Sequence, residues 1–214
     1  MNQQSKKWAV KAAWGVLIII LILAALSGTI MSRVDEPKFE IVTSEDNIQI
    51  RDYQPIIVAE VEVSGERAKS INNGFRMIAD YIFGNNTTSK KIAMTAPVMQ
   101  QSGEKIAMTA PVTQQGNGNF WKVRFVMPSN YTIQTLPAPH NTQVKLIEIP
   151  SKRFAVIRFS GFNSEHNISV HREKLFHYIS KNKLTTVEEP VMAFYNPPWT
   201  LPFLKRNEIM IELR

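Results

Sequence analysis

Apolar and polar positions along the chain change their period several times, and each change marks an element. From Ala12 to Ser32 there is no charged residue, and Trp14-Gly-Val-Leu-Ile-Ile-Ile-Leu-Ile-Leu-Ala-Ala-Leu26 is almost continuously apolar. As a helix at 1.5 Å rise, roughly 21 residues reach about 31 Å, enough to cross a hydrocarbon core. Beyond Phe39 the pattern becomes short alternating runs interrupted by helical stripes. Ile50–Gly65 aligns with Leu146–Gly161: Val58, Val61 and Val63 meet Phe154, Ile157 and Phe159, and both runs end in Ser-Gly. Such partial alternation predicts half-buried strands. After the first run, Ile71, Phe75, Ile78 and Ile82 fall at i, i+4, i+7 and i+11, one apolar helical stripe. After the second, Ile168, His171, Leu175 and Ile179 share a face, with Phe176 beside it. Gly84-Asn85-Asn86 is expected to end the first helix with a left-handed residue, and Asn182 to end the second in the same way.

Each half then closes with strands: Phe120–Met127, stopped by Pro128, in the first, and Val191–Tyr195 and Glu208–Leu213 in the second. The order is β-β-α-β-β, twice. Strands joined by short turns predict an α+β domain: an antiparallel sheet curled into a distorted barrel, flanked by two helices. A pseudo-twofold of this kind leaves a groove where the halves meet, a natural ligand location. A shorter repeat lies between the halves, where Lys91-Ile-Ala-Met-Thr-Ala-Pro-Val98 recurs as Lys105-Ile-Ala-Met-Thr-Ala-Pro-Val112. Each copy reads as a short strand ending near its proline, with Ser102-Gly103 as the turn between them.

Charge refines this picture. The formal net charge is +7, which invites a nucleic-acid reading. Lys6, Lys7, Lys11, Arg33 and Lys38 belong to the N-terminal part, however, and beyond it Lys and Arg are interleaved with Asp and Glu. That is a mixed, solvated surface and not a phosphate-tracking stripe, so no nucleic-acid partner is expected. Three lysines precede the apolar span and Arg33, Asp35 and Glu36 follow it. The positive-inside rule then makes it a single-pass anchor of the inner (cytoplasmic) membrane, with the C-terminal domain in the periplasm or at the cell exterior. The rival reading is a cleaved signal peptide with Ala25-Leu26-Ser27 as its site; the span is longer than the usual core of about 7–15 residues, which favours the anchor. The chain divides into 1–38 (cytoplasmic N-terminus, transmembrane helix and short linker) and 39–214 (folded domain).

Residues that could carry chemistry are few. There is no cysteine, so disulfides, thiolate metal sites and thiolate-ligated heme are excluded. No phosphate loop, nucleophile elbow or His-Glu-x-x-His occurs, and no catalytic residue is expected. Four histidines, His140, His166, His171 and His177, all lie in the second half. His171 and His177 are six apart, on different helical faces, and cannot share one metal.

From about Phe39 to Arg214 the chain resembles the SOUL heme-binding family. The matching pieces are the Tyr53 strand ending in Val-Ser-Gly65, both copies of Lys-Ile-Ala-Met-Thr-Ala-Pro-Val, Val123-Arg-Phe-Val-Met-Pro128 and Val156-Ile-Arg-Phe-Ser-Gly161. Tyr195-Asn-Pro-Pro-Trp-Thr200 leading into Lys205-Arg-Asn-Glu-Ile209 completes the set. The resemblance implies a duplicated barrel with two helices that binds heme or another tetrapyrrole without catalysis, in an apolar cleft beside the first helix with basic residues near the propionates. The fold is also similar to effector-binding domains of bacterial regulators, so an amphipathic small molecule without heme specificity is the alternative ligand. Phe75, Ile78 and Ala79 match the family's cleft positions. Met77, Tyr81 and Trp199 join them by side-chain type, with Met77 and Tyr81 expected to form exposed apolar surface off the core stripe. Arg76 and Lys205 are candidate propionate partners by charge. Some members of the family use an axial histidine from the first half. None precedes His140 here, so axial ligation, and any metal ligand, stays open.

Overall fold

The computed structural model describes residues 14, 34–87, 103–197 and 199–214. Its elements in chain order are β1 (Phe39–Glu45), β2 (Ile48–Tyr53), β3 (Ile56–Ser64), α1 (Arg67–Ile82), β4 (Asn86–Thr87), β5 (Val112–Asn117) and β6 (Phe120–Val126). They continue with β7 (Ala138–Pro139), β8 (Lys145–Ile149), β9 (Lys152–Phe159), α2 (Glu165–Lys181), β10 (Val191–Phe194) and β11 (Asn207–Glu212). Nine strands form one antiparallel sheet in the order β1-β2-β9-β11-β10-β5-β6-β3-β8, and β4 pairs with β7 separately.

The internal repeat is visible in that order. Mapping β2, β3, α1, β5 and β6 onto β8, β9, α2, β10 and β11 reverses the run from β2 to β8 onto itself, with the pseudo-twofold between β5 and β10. The first strand of each half is exchanged: β2 pairs with β9 and β8 with β3. Pairing across the repeat joins the halves through the backbone as well as through side chains.

The sheet is a curled half-barrel and not the closed barrel expected from sequence, since its end strands β1 and β8 do not pair. β1 is exposed along nearly its whole length and β8 has five residues, so closure would bury little apolar surface. The short repeat also behaves differently from expectation. Its second copy stays irregular until β5 begins at Val112. Its backbone bonds are directed elsewhere: the Ile106 N–H donates to the Ile82 carbonyl at the end of α1, and the Ala110 N–H to Asp35. The Thr109 hydroxyl donates to the Val126 carbonyl. The first copy lies outside the described residues. Gly84 ends α1 with φ +115°, whereas after α2 the positive φ falls on Lys183 (+54°) and not Asn182. Asn182 instead donates its side-chain amide to the Tyr178 carbonyl.

Both helices pack on one face of the sheet. α1 seals a core of Val61, Val123, Phe125, Ile78 and Ile82, and α2 a second core of Ile157, Phe159, Ile209, Leu175 and Ile179. α1 lies close because Gly74 faces β6; a Cβ there would come within 2.8 Å of Val123. The opposite, concave face holds a third core of Tyr53, Val156, Ala193, Tyr195 and Met210, against which Val34 and Phe39 pack. Among the described residues no helix is long and apolar enough to cross a membrane. The expected anchor, Ala12–Ser32, lies outside them apart from Trp14.

Candidate functional site

The outer side of α1 carries the first group of candidate residues. Phe75 is 40% exposed although its ring sits 5.1 Å from that of buried Phe125 on β6. Arg76 beside it is exposed, Met77 and Ala79 are half-buried, and Ile78 is fully buried. The expectation of exposed apolar surface at Met77 and Tyr81 is corrected here. Tyr81 is 1% exposed and donates its hydroxyl to the Pro137 carbonyl at 2.9 Å, while Met77 packs on the first core. The cause is the irregular segment between β6 and β8, whose Tyr131, Leu136 and Val144 cover that flank of the helix. Helical periodicity does not report cover supplied by a loop.

The second group lies on the loop between β10 and β11. Trp199 is 60% exposed. The Lys205 ammonium stands 5.8 Å above the Phe162 ring, a cation–π arrangement. Neither the recess lined by Asp35, Ile57, Met127 and Tyr131 nor the one lined by Val63, Phe120, Trp121 and Phe176 is bordered by a candidate residue. The candidates fall into two groups: exposed surface on α1 with core positions beneath it, and exposed surface on one loop.

Pattern reading passed over the concave face altogether. There Glu208, fully buried, accepts from Arg51 (3.0 and 3.3 Å), from Arg206 (3.0 Å) and from the Tyr195 hydroxyl (2.7 Å). Arg51 also donates to the Tyr53 hydroxyl at 3.0 Å, and Arg206 to both carboxylate oxygens of Glu36. The two arginines and two glutamates balance in charge. Beside them, Tyr53, Phe154, Tyr195, Met210, Val58 and Ile149 help to line a recess of about 80 Å³. Ligand pockets usually run to roughly 300–1,000 Å³, so this recess is too small for a tetrapyrrole.

The cluster has a measurable consequence at high pH. Burial, and then Glu208, push the Tyr53 phenol up to about 12 from 10.0, with Arg51 partly opposing. Burial, and then Glu208, raise Tyr195 well above its ordinary value, and burial also raises Tyr81. The folded state thus holds phenolic protons that the unfolded chain releases near pH 10. This contribution to stability is complete below about pH 10 and is lost as pH rises through the folded-state values. Tyrosinate absorbance during alkaline titration is expected to show Tyr53, Tyr81 and Tyr195 ionising late, together with loss of structure.

A family model describing the SOUL heme-binding protein matches residues 34–212. The chain belongs to the SOUL family. Among curated proteins none matches closely. Among solved structures the SOUL chain is similar to the EcmrR C-terminal domain at TM-score 0.57 and 8% identity, covering 82% of this chain and 98% of that one. It is also similar to a structure described as a hydrolase from Listeria innocua, at TM-score 0.52 and 10% identity, covering 81% and 94%. At these identities the likeness is one of fold.

The side chains of this SOUL domain suit heme in part. Phe75 and Trp199 offer apolar faces, and Arg76 and Lys205 are cations placed close to them in sequence. Among the described residues no group of three or more His, Asp or Glu side chains could hold a metal ion. Both ring nitrogens of His140 are engaged, Nδ1 with Asn85 and Nε2 with Thr87. The His171 ring stacks on Phe159 at 4.2 Å. Apolar contact and charge pairing are the features these two patches offer a tetrapyrrole.

Proposed function

We propose that the domain binds heme or a related tetrapyrrole without catalysis, buffering or carrying it, on the surface formed by α1 and the β10–β11 loop. Phe75, Met77, Ile78, Ala79, Tyr81 and Trp199 make or underlie the apolar contact, and Arg76 and Lys205 pair with carboxylates. The observation that carries this reading is the family match over residues 34–212, joined to a phenylalanine left 40% exposed on α1 beside an arginine. The N-terminal span holds the domain at the outer side of the inner membrane. Titrating the full-length protein in detergent micelles with hemin is expected to give a saturable Soret shift at one equivalent. Phe75→Asp and Arg76→Glu are each expected to weaken binding about tenfold, near 1.4 kcal/mol. A linear, unsaturable response in the parent protein overturns the reading.

A second reading is a small-effector domain without heme specificity. The recess lined by Tyr53, Tyr195, Phe154 and Met210 favours it, because it is largely apolar and aromatic and draws its lining from both halves. The charged side chains on and beside it are already paired: Arg124 with Glu60, Lys152 with Glu212, and Glu208 with Arg51 and Arg206. A ligand there would be small and apolar and would not need to be cationic.

A further inference from the structure

Residues 34–36, which follow the N-terminal span in sequence, are held at the same end of the domain as an exposed aromatic patch. β10 ends at Phe194, paired with Val112 at the start of β5 and with Asn207 at the start of β11. The loop 195–206 and the segment entering β5 therefore leave the sheet at one edge. Residues 34–36 are fixed to that edge. Asp35 pairs in parallel with Thr109, the Ala110 N–H donates to its carbonyl, and the Ser129 hydroxyl to its side chain. Glu36 is ion-paired with Arg206 at 2.9 Å, at the foot of the loop. Met108, next to the Thr109 that pairs with Asp35, is 46% exposed. The apolar span ends at Ser32, two residues before Val34.

On this edge Trp199, Phe203 and Phe162 are 60, 71 and 64% exposed, and Leu204 is 37% exposed. Their backbone is pinned and not slack. The Gly161 N–H donates to the Pro202 carbonyl, Leu204 and Lys205 close a tight turn, and the Asn207 amide donates to the Gly161 carbonyl. The loop is therefore held with its apolar side chains outward, at a cost in water that an apolar phase would remove. Tryptophan and phenylalanine flanked by lysine is the composition that settles at the headgroup boundary of a bilayer.

We infer that this edge rests on the membrane, with Phe162, Trp199, Phe203 and Leu204 dipping into the lipid interface around the exit of the anchor. The inference rests on the anchor reading above. It also places Trp199 where a lipid-dissolved tetrapyrrole would arrive.

The absence of cysteine makes the test direct, since one introduced thiol is the only one in the chain. Full-length Phe203→Cys protein, carrying an environment-sensitive fluorophore, is reconstituted in vesicles of phosphatidylcholine and phosphatidylglycerol. Phe120→Cys serves as control; Phe120 is 76% exposed and lies at the far end of β5–β6, paired with Asn117. The label at 203 is expected to emit further to the blue, to be quenched by acyl-chain nitroxide lipids and to lose most of its quenching by aqueous iodide. The label at 120 is expected to do the reverse. Iodide quenching of both labels in protein that floats with the vesicles overturns the membrane contact and leaves the anchor standing. Shielding at 203 without acyl-chain quenching overturns it too, and points to a second copy or another partner. Failure to float with the vesicles removes the anchor and this inference with it.

Discussion

Replacing Glu208 with alanine is expected to destabilise the domain by about 3–5 kcal/mol, the range for breaking a buried ion pair by removing one partner. Arg51, with its side chain 5% exposed, would keep Gln49, the Tyr53 hydroxyl and the face of the Phe39 ring, and none of these carries a counter-charge. Tyr195 would lose the acceptor of its hydroxyl. Arg206 fares better, because Glu36 still faces it. Most of the loss therefore comes from stranding Arg51, and Arg51→Met combined with Glu208→Leu is expected to recover much of it, since well-packed apolar replacements of buried pairs are often neutral or better. Urea denaturation followed by tryptophan fluorescence measures both. Additive losses in the double variant would show that Glu208 acts on its own and not as the centre of the cluster.

The second large effect lies under the candidate ligand surface. Phe125 is 1% exposed and forms the floor on which Phe75 rests. Phe125→Ala is expected to cost about 3–5 kcal/mol through lost transfer energy and the cavity left behind. The cavity also lets the Phe75 ring sink toward the sheet and lowers its exposure. Hemin affinity should then fall in protein that is still folded, as judged by far-ultraviolet circular dichroism. Phe125→Leu, which keeps most of the volume, should retain binding. Unchanged affinity in folded Phe125→Ala would detach Phe75 from the ligand.

The parts that sequence made legible are those governed by local pattern. The paired runs ending at Gly65 and Gly161 became β3 and β9, each followed by a helix. The correspondence of Val61 and Val63 with Ile157 and Phe159 holds in three dimensions, because all four face the helices. The exchange of β2 and β8 between halves was not legible, since alternation says which face is buried and not which strand lies alongside. The concave cluster was hidden for a different reason. Arg51, Tyr53 and Glu208 occupy alternate positions opposite an apolar face, and such positions read as solvent-facing. In a curled half-barrel the second face is also enclosed, so these charges are buried and must find one another. Arg51-x-Tyr53 and Arg206-x-Glu208 are the spacings that could have signalled it. Tyr81 was misplaced because its cover comes from Leu136 and Pro137, on a segment without periodicity.

The central claim is that a tetrapyrrole meets the outer side of α1 and the loop bearing Trp199, and not the recess on the concave face. Amide and methyl chemical-shift mapping of the full-length protein in micelles, titrated with a diamagnetic metalloprotoporphyrin, tests it most directly. Perturbations concentrated at Phe75, Arg76, Ala79, Trp199 and Lys205, saturating at one equivalent, are the predicted result. Perturbations confined to Tyr53, Phe154, Tyr195 and Met210, or spread without saturation, would contradict it.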